Sequence, residues 1–473
     1  MAERVYSFTI DTEVAPALID DMFRYMIYYQ LLPRPANFTN IGMLTHEKVP
    51  ILTFTLLGPA GTWFVHVKVI GSTPILVEMT PTPGTPSTVL DELKDLIITS
   101  IQIFEERVRR TTLYFAWTEE GVHHPEEHPR ARQRILDSLF SESMLLLFII
   151  FMSLSLFMFW ILGPLTPIML MAIQLLMVLY SDKIVLRMGR WRITEENPNV
   201  YLLQYHLPYP EYRRVAMSYG PKILARIKDE IYQLTLGRGR EIDCKVAQEV
   251  FQKYGIACIP ELMVAKKVDV YSLVKEAASR FGLPVPKITI SNIMLPNAAA
   301  AGPSPSRGTI LITTGLLVQL EEDEILGVLG HEFSHLKGRD PLAMFALTAA
   351  EYLLRIYVLW PLAVYLPFIY YFLAFSAVYF IAKFFEAKAD LEAAKVIGEP
   401  QVLAEALRKI GFRKLQYEKI PSYRIQSWLT WDPHPPLYFR IKRLESLKTP
   451  IRVKHLLLRS ALDCISGFLS TFS

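Results

Sequence analysis

A chain of 473 residues has room for two or three domains, and its 51% hydrophobic residues and mean hydropathy of +0.25 exceed what a water-soluble protein needs, which points to membrane segments. A net charge of +4 makes no demand for nucleic acid as a partner. The three cysteines, Cys244, Cys258 and Cys464, are too scattered for a disulfide framework or a Cys-x-x-Cys metal site.

Residues 1–125 read as a separate soluble α+β domain. Val5–Ile10 alternates like a strand, Pro16–Leu32 has helical character, and strands are expected near Ile51–Leu57, Thr62–Ile70 and Ile75–Thr80. A long helix over Ser87–Phe115 should close the unit, an order that resembles helix-grip folds. His46 and His66 fit as ordinary strand residues, and residues 126–141 form a polar linker.

Residues 142–181 read as a first transmembrane hairpin: Met144–Leu162 is an unbroken apolar run, Gly163–Pro167 an uncharged turn and Ile168–Tyr180 a second run. Arg130, Arg132 and Arg134 precede the pair and Lys183, Arg187, Arg190 and Arg192 follow it, which places both flanks in the cytoplasm. Residues 182–260 are expected as a cytoplasmic connector with a helix over Lys222–Leu236.

Residues 261–473 carry the chemistry. A helix over Val270–Phe281 should stop at Gly282, with strands at Lys287–Ser291 and Thr309–Thr313 around the small-residue stretch Asn297–Gly302. Then comes His331-Glu-Phe-Ser-His335. On a helix, residues four apart share a face, so His331 and His335 can present two imidazoles to one Zn²⁺. Glu332 lies beside them, placed to take a proton from a water activated by the metal and to pass it to a leaving amine. Two histidines on a core helix are ordinarily satisfied by hydrogen bonds alone. Three ionisable groups on an otherwise apolar helix favour a metal.

A second hairpin, 342–382, follows, with runs Leu342–Trp360 and Phe368–Ala382 and an uncharged turn. Its first run contains Glu351 and Arg355, which can pair on one helix face. A catalytic zinc takes three protein ligands. A histidine six residues after His335 is excluded, because that position is Pro341. A downstream carboxylate remains. Glu386 follows the second run directly, with Asp390 one turn on, so Glu386 can bind zinc while Asp390 orients a ligand imidazole. Glu351 is the main competitor, and the plain alternative for Glu386 and Asp390 is a solvated helix face.

The run Asn297-Ala-Ala-Ala, Thr313-Thr-Gly-Leu-Leu317, His331-Glu-Phe-Ser-His-Leu-Lys-Gly-Arg-Asp340, Glu386-x-x-x-Asp390 and His434-Pro-Pro-x-x-x-Arg440-Ile441 resembles the HtpX-like membrane zinc peptidases, relatives of the CAAX prenyl endopeptidases. The resemblance covers about residues 265–447. It implies a gluzincin catalytic domain that cuts misfolded or membrane-associated proteins at the cytoplasmic face of the cell membrane. It also implies that Asn297, Ala298 and Ala299 form an edge strand for substrate, that His434 stabilises the tetrahedral intermediate and that Arg440 is structural. The all-alanine positions 298–301 and the N-terminal 125 residues depart from the family pattern.

The expected fold class is therefore α+β with transmembrane helices: a gluzincin-type zinc peptidase domain with two transmembrane hairpins, plus an N-terminal soluble α+β domain. The expected metal set is His331, His335 and Glu386 holding one Zn²⁺, with Glu332 and His434 catalytic and Asp390 behind a ligand. Expected partners are protein or peptide substrates and the lipid bilayer, with both termini cytoplasmic. The rivals are a prenyl-protein peptidase and an inactive membrane scaffold.

Overall fold

The structure, a computed structural model, describes residues 5–34, 37–119, 160–418 and 420–472, together with Ser153, Phe157 and Met158. The linker 126–141 and about two thirds of the run Met144–Leu162 lie outside the described residues. The chain divides into two compact units, Met1–His124 with Tyr201–Lys267 and Pro125–Val200 with Val268–Ser473. This division differs from the expected boundaries at 125 and 260, because most of the stretch expected as a connector builds the first unit.

In the first unit, alternation of apolar and polar residues makes a five-stranded antiparallel sheet. Its strands are β1 (Tyr6–Ile10), β2 (Phe38–His46), β3 (Val49–Leu57), β4 (Phe64–Ile70) and β5 (Ile75–Pro81), in the order β1-β5-β4-β3-β2. Val65, Val67 and Val69 point inward from β4 while His66 and Lys68 point out. His66 is an ordinary strand residue, its Nδ1 2.9 Å from Thr55 Oγ1 across the pair. The helix Ser87–Arg109 lays Leu90, Leu93, Ile97, Ile101 and Phe104 onto the same core. Each such side chain contributes about 1.5–3 kcal/mol when fully buried, and Ile101→Asp would put a charge at its centre.

That helix ends at Arg109, not at Phe115. Thr112–Thr118 is strand β6, whose β-branched and aromatic residues suit a sheet better than a helix. After β7 (Trp191–Ile193), which belongs to the second unit, β8 (Asn199–His206) and β9 (Met263–Asp269) join it in a second sheet of order β6-β8-β9. Phe115 and Trp117 pack with Tyr201, Leu203, Tyr205 and Phe251 in a core of their own.

The second unit holds a four-stranded sheet of order β11-β12-β10-β7, with β10 (Lys287–Ser291), β11 (Ala298–Ala301) and β12 (Thr309–Thr313). Strands β10 and β12 are parallel, and β11 runs antiparallel to β12 at the sheet edge. The helix Glu322–Gly338 opens with a capping box between Glu321 and Glu324, which satisfies two of its free N–H groups. From Glu324 to Ser334 it is buried on every face because helices Val270–Phe281, Pro367–Ile397 and Pro400–Ile410 all pack on it. Gly330 sets the closest approach: a Cβ there would meet Ile397 Cγ1 at 2.7 Å. The missing side chain lets Pro367–Ile397 come close enough to share a site.

The second apolar pair forms a helix Asp340–Tyr357, a short helix Trp360–Tyr365 and the long helix Pro367–Ile397. Among the described residues, Pro367–Ile397 is the one helix long and apolar enough to cross a membrane. Thr166–Leu179 and Ser181–Met188, bent by 58°, make a second if counted as one span. The helix Asp340–Tyr357, on the run Leu342–Trp360, does not meet that measure, because Asp340, Glu351 and Arg355 interrupt its apolar character. Helices Phe412–Glu418, Pro421–Leu429, Leu437–Glu445 and Leu456–Leu469 complete the unit.

Candidate metal centre

The spacing of His331 and His335 sets their rings edge to face with centroids 4.8 Å apart, and their Nε2 atoms face each other at 3.1 Å. Glu386 reaches between them from Pro367–Ile397. Its Oε2 lies 3.3 Å from His331 Nε2 and its Oε1 3.4 Å from His335 Nε2. Two ligands bound at about 2.1 Å in a tetrahedron stand roughly 3.4 Å apart. The three groups therefore already form one face of such a tetrahedron. Among the described residues this is the His, Cys, Asp and Glu cluster that can hold a metal ion. Glu386 Oε2 is moreover buried without a well-formed hydrogen bond, as a ligand oxygen would be.

Carboxylates fix both rings from behind. His331 Nδ1 lies 2.9 Å from Asp390 Oδ1, and His335 Nδ1 lies 2.8 Å from Asp340 Oδ2. An ionised carboxylate only accepts, so each Nδ1 carries a proton and each Nε2 is the nitrogen left to give its lone pair to a metal. Arg440 grips Asp390 with two bonds of 2.7 Å, and Lys388 Nζ stands 3.1 Å from Asp340 Oδ2. The turn that brings Asp340 back over His335 is made by Arg339, at φ 52°.

The electrostatics favour a cation. Burial alone would raise the Asp390 carboxyl, but Arg440 and His331 hold it well below the usual range. Glu386 is likewise held far down against its burial, by His434, His335 and His331. Burial pushes His331 down, yet Asp390 and Glu386 outweigh it and lift the imidazole to about 10. These are the marks of buried anions awaiting a positive charge.

Glu332 Oε2 accepts the backbone N–H of Ala300 at 2.6 Å, which ties the carboxylate to edge strand β11. Asn297 opens that edge: its N–H donates to Thr313 Oγ1 at 2.9 Å and its carbonyl accepts the Thr313 N–H at 3.0 Å. Ala298 and Ala299 follow, opposite Ile312 and Leu311. His434 enters from the loop after Pro421–Leu429, with Nε2 3.4 Å from Glu386 Oε2. Asp432 Oδ1 accepts both the His434 backbone N–H and its Nδ1–H, each at 2.9 Å. Lys414 stands 2.6 Å from the other Asp432 oxygen, and buried Lys383 donates to the carbonyls of Thr430 and Asp432.

Glu351 lies apart from this cluster, paired with Tyr370 and Arg355. Sequence reading missed Asp340 and Asp432, and left Arg440 without a partner. The available signals were slight: an Asp five residues past His335 and an Asp two residues before His434.

Residues 265–448 match the model of peptidase family M48. The Protease HtpX homolog of Methanothermobacter thermautotrophicus is 36% identical over 159 residues, 32% of this chain and 61% of the relative, so the chain spans about three fifths of that protein. The homolog of Sulfurihydrogenibium sp. is 30% identical over 40% of this chain and 76% of its own length, and that of Paenarthrobacter aurescens 31% over 39% and 73%. With a metal-binding triangle and a carboxylate beside it in the matched region, the chain belongs to peptidase family M48 as an HtpX-like metalloprotease.

Proposed function

We propose that this chain is an integral membrane, zinc-dependent endopeptidase that hydrolyses misfolded or membrane-associated proteins at the cytoplasmic membrane surface. The observation that carries the reading is the convergence of His331 Nε2, His335 Nε2 and Glu386 at 3.1–3.4 Å, with Asp390 and Asp340 behind the rings. The nitrogen-rich set and its spacing suit Zn²⁺, which when bound there supplies the Lewis acidity that activates water and polarises a scissile carbonyl.

The chain's own residues do the rest. An extended substrate adds to the free edge of β11 along Asn297, Ala298 and Ala299, where alanines leave room for its side chains. Glu332, held at Oε2 by the Ala300 N–H, keeps Oε1 to take the proton of the attacking water and later gives it to the departing amine. With Nδ1–H fixed on Asp432, His434 presents Nε2 to the site. Carrying a proton, that nitrogen donates to the carbonyl oxygen as negative charge builds there.

The apolar helix Pro367–Ile397 and the uncharged turns between basic flanks support a multi-pass placement with both termini cytoplasmic. Residues 1–125 we assign a regulatory or substrate-recruiting role, since the His, Glu and Asp residues of the metal centre all lie between His331 and His434. The deciding experiment is metal analysis of the purified protein with casein cleavage before and after chelation. One zinc per chain and chelator-sensitive cleavage are expected. Cleavage that persists in metal-free protein would overturn the reading.

A further inference from the structure

The last helix, Leu456–Leu469, lies beyond the residues that match the family, and it has two unlike faces. One face is buried on the long helix Pro367–Ile397. Cys464 Sγ sits 3.7 Å from the Lys383 carbonyl, and the Phe468 and Phe380 rings are 5.6 Å apart. Arg443 joins the two helices further along, with bonds of 2.9 Å to Ser460 and 2.5 Å to the Ala387 carbonyl. The order 460, 464, 468 against 387, 383, 380 makes the pair antiparallel. The chain thus ends heading toward the apolar half of the long helix.

The other face exposes Leu458, Leu462, Ile465, Leu469 and Phe472, with Leu458, Leu469 and Phe472 each 61% exposed. Steps of four, three, four and three put them in one stripe. A stripe of this kind on the surface of a chain calls for a partner. Two observations name it. By that antiparallel order the stripe heads toward the end of the long helix where Phe368, Ile369, Phe372 and Leu373 are exposed, so one medium covers both. At the helix's other end the charge is basic: Lys448, Arg452, Lys454 and Arg459 stand against Asp463. That end suits anionic headgroups.

We propose that Leu456–Leu469 is a lipid-docking helix, its Ile465, Leu469 and Phe472 side chains inserted into the cytoplasmic leaflet beside the segment Pro367–Ala382. The partner is the hydrocarbon of the same bilayer. Lipid docking here rests on the reading of that segment as a membrane span. It also fixes depth: by the same pairing Glu386 and Asp390 lie level with Ala461 and Leu457, toward the basic end of the helix, which sets the metal centre within the headgroup layer.

The test uses the full chain with Cys244→Ser and Cys258→Ser in nanodiscs of zwitterionic and anionic lipid. Nitroxide labels are placed singly at Leu469→Cys, Arg459→Cys and Leu373→Cys, and oxygen and nickel-chelate accessibilities are compared. Labels at Leu469→Cys and Leu373→Cys should favour oxygen, and the label at Arg459→Cys should favour nickel. Nickel preference at Leu469→Cys with oxygen preference at Leu373→Cys overturns the docking helix and leaves the span standing. Nickel preference at both overturns the span and the docking helix together. A Leu469→Cys label shielded from both reagents assigns the stripe to a second copy of the chain and overturns lipid docking.

Discussion

Two acidic residues, one inside the second helical hairpin and one just past it, each have a charged residue four positions on: Glu351 with Arg355, and Glu386 with Asp390. By spacing alone they are equivalent candidates for a ligand. The structure separates them by what surrounds each carboxylate. Glu351 is closed locally, with Tyr370 O–H donating at 2.9 Å and Arg355 at 3.5 Å. One anion meets one cation, and nothing is left over. In the second pair, Arg440 takes up the charge of Asp390, while Glu386 is left among imidazoles. A ligand is thus recognised by the charge that its neighbours leave uncompensated, not by its spacing to another acid.

The largest effect expected from this contrast is at Glu386. Glu386→Ala should empty the metal centre and bring peptide cleavage to background, while Glu351→Ala should keep both, as read by metal analysis and a fluorogenic peptide. Zinc lost from the Glu351 variant alone would invert the comparison. Next comes Glu332→Gln, which keeps shape and burial but cannot hold the proton. It should retain metal and lower kcat by about 10²–10⁴-fold or more. A Gln variant that cleaves at the parent rate removes Glu332 from the proton path.

Legibility followed the range of the interaction. Val270–Phe281 and Lys287–Ser291 run as the sequence pattern has them, because their stops are local: Asp269 caps the helix through the Ser272 N–H, and Gly282 takes φ 64° just past its end. The pair His331 and His335 is readable for the same reason, since a helix alone puts them on one face. Strand β2 went unseen because a register shift between Thr39 and Gly42 breaks its alternation. The stop of the long helix at Arg109 was hidden because β6 pairs with β8, far along the chain. Asp340, Asp432 and Arg440 answer to partners that carry no period. Arg440 meets Asp390 across 50 residues, and only the packing of helix on helix brings them together.

The carboxylates behind the rings sharpen the comparison at a smaller scale. Asp390→Asn and Asp340→Asn keep the size of each side chain but lose its charge. Each should weaken metal affinity about 10–100-fold, measured by competition with a chelator of known affinity. Asp390→Asn should cost more, because it also leaves the buried Arg440 guanidinium without its anion. Equal affinity in both variants and the parent would make the two aspartates bystanders.

Asp432 acts through His434. Asp432→Ala should lower kcat with metal content unchanged, and Asp432→Asn should recover much of the loss, because an amide oxygen still accepts the Nδ1–H. If Asp432 matters only through that imidazole, adding Asp432→Ala to His434→Ala should cost little more. Additive losses would mean that Asp432 serves the loop alone.

The smallest effect should come from the pair that the metal centre does not use. Glu351 and Arg355 are each 17% exposed, and their worth to stability is mostly the avoidance of a lone charge. Arg355→Met alone strands the Glu351 carboxylate, with only the Tyr370 hydroxyl left to it. It should lower stability by about 1–3 kcal/mol, read as a fall in the melting temperature of the detergent-solubilised protein. Glu351→Gln alone should cost less, since its amide oxygen still accepts from Tyr370 and Arg355 keeps the faces of Tyr352 and Tyr371, 4.8 and 5.3 Å from its guanidinium. The double change Glu351→Gln with Arg355→Met removes both charges and should melt close to the parent, with zinc content and peptide cleavage unaltered. A double variant that melts normally but loses its metal would show that the hairpin's charge pair reaches the centre after all, and would join the two acid sites that the structure holds apart.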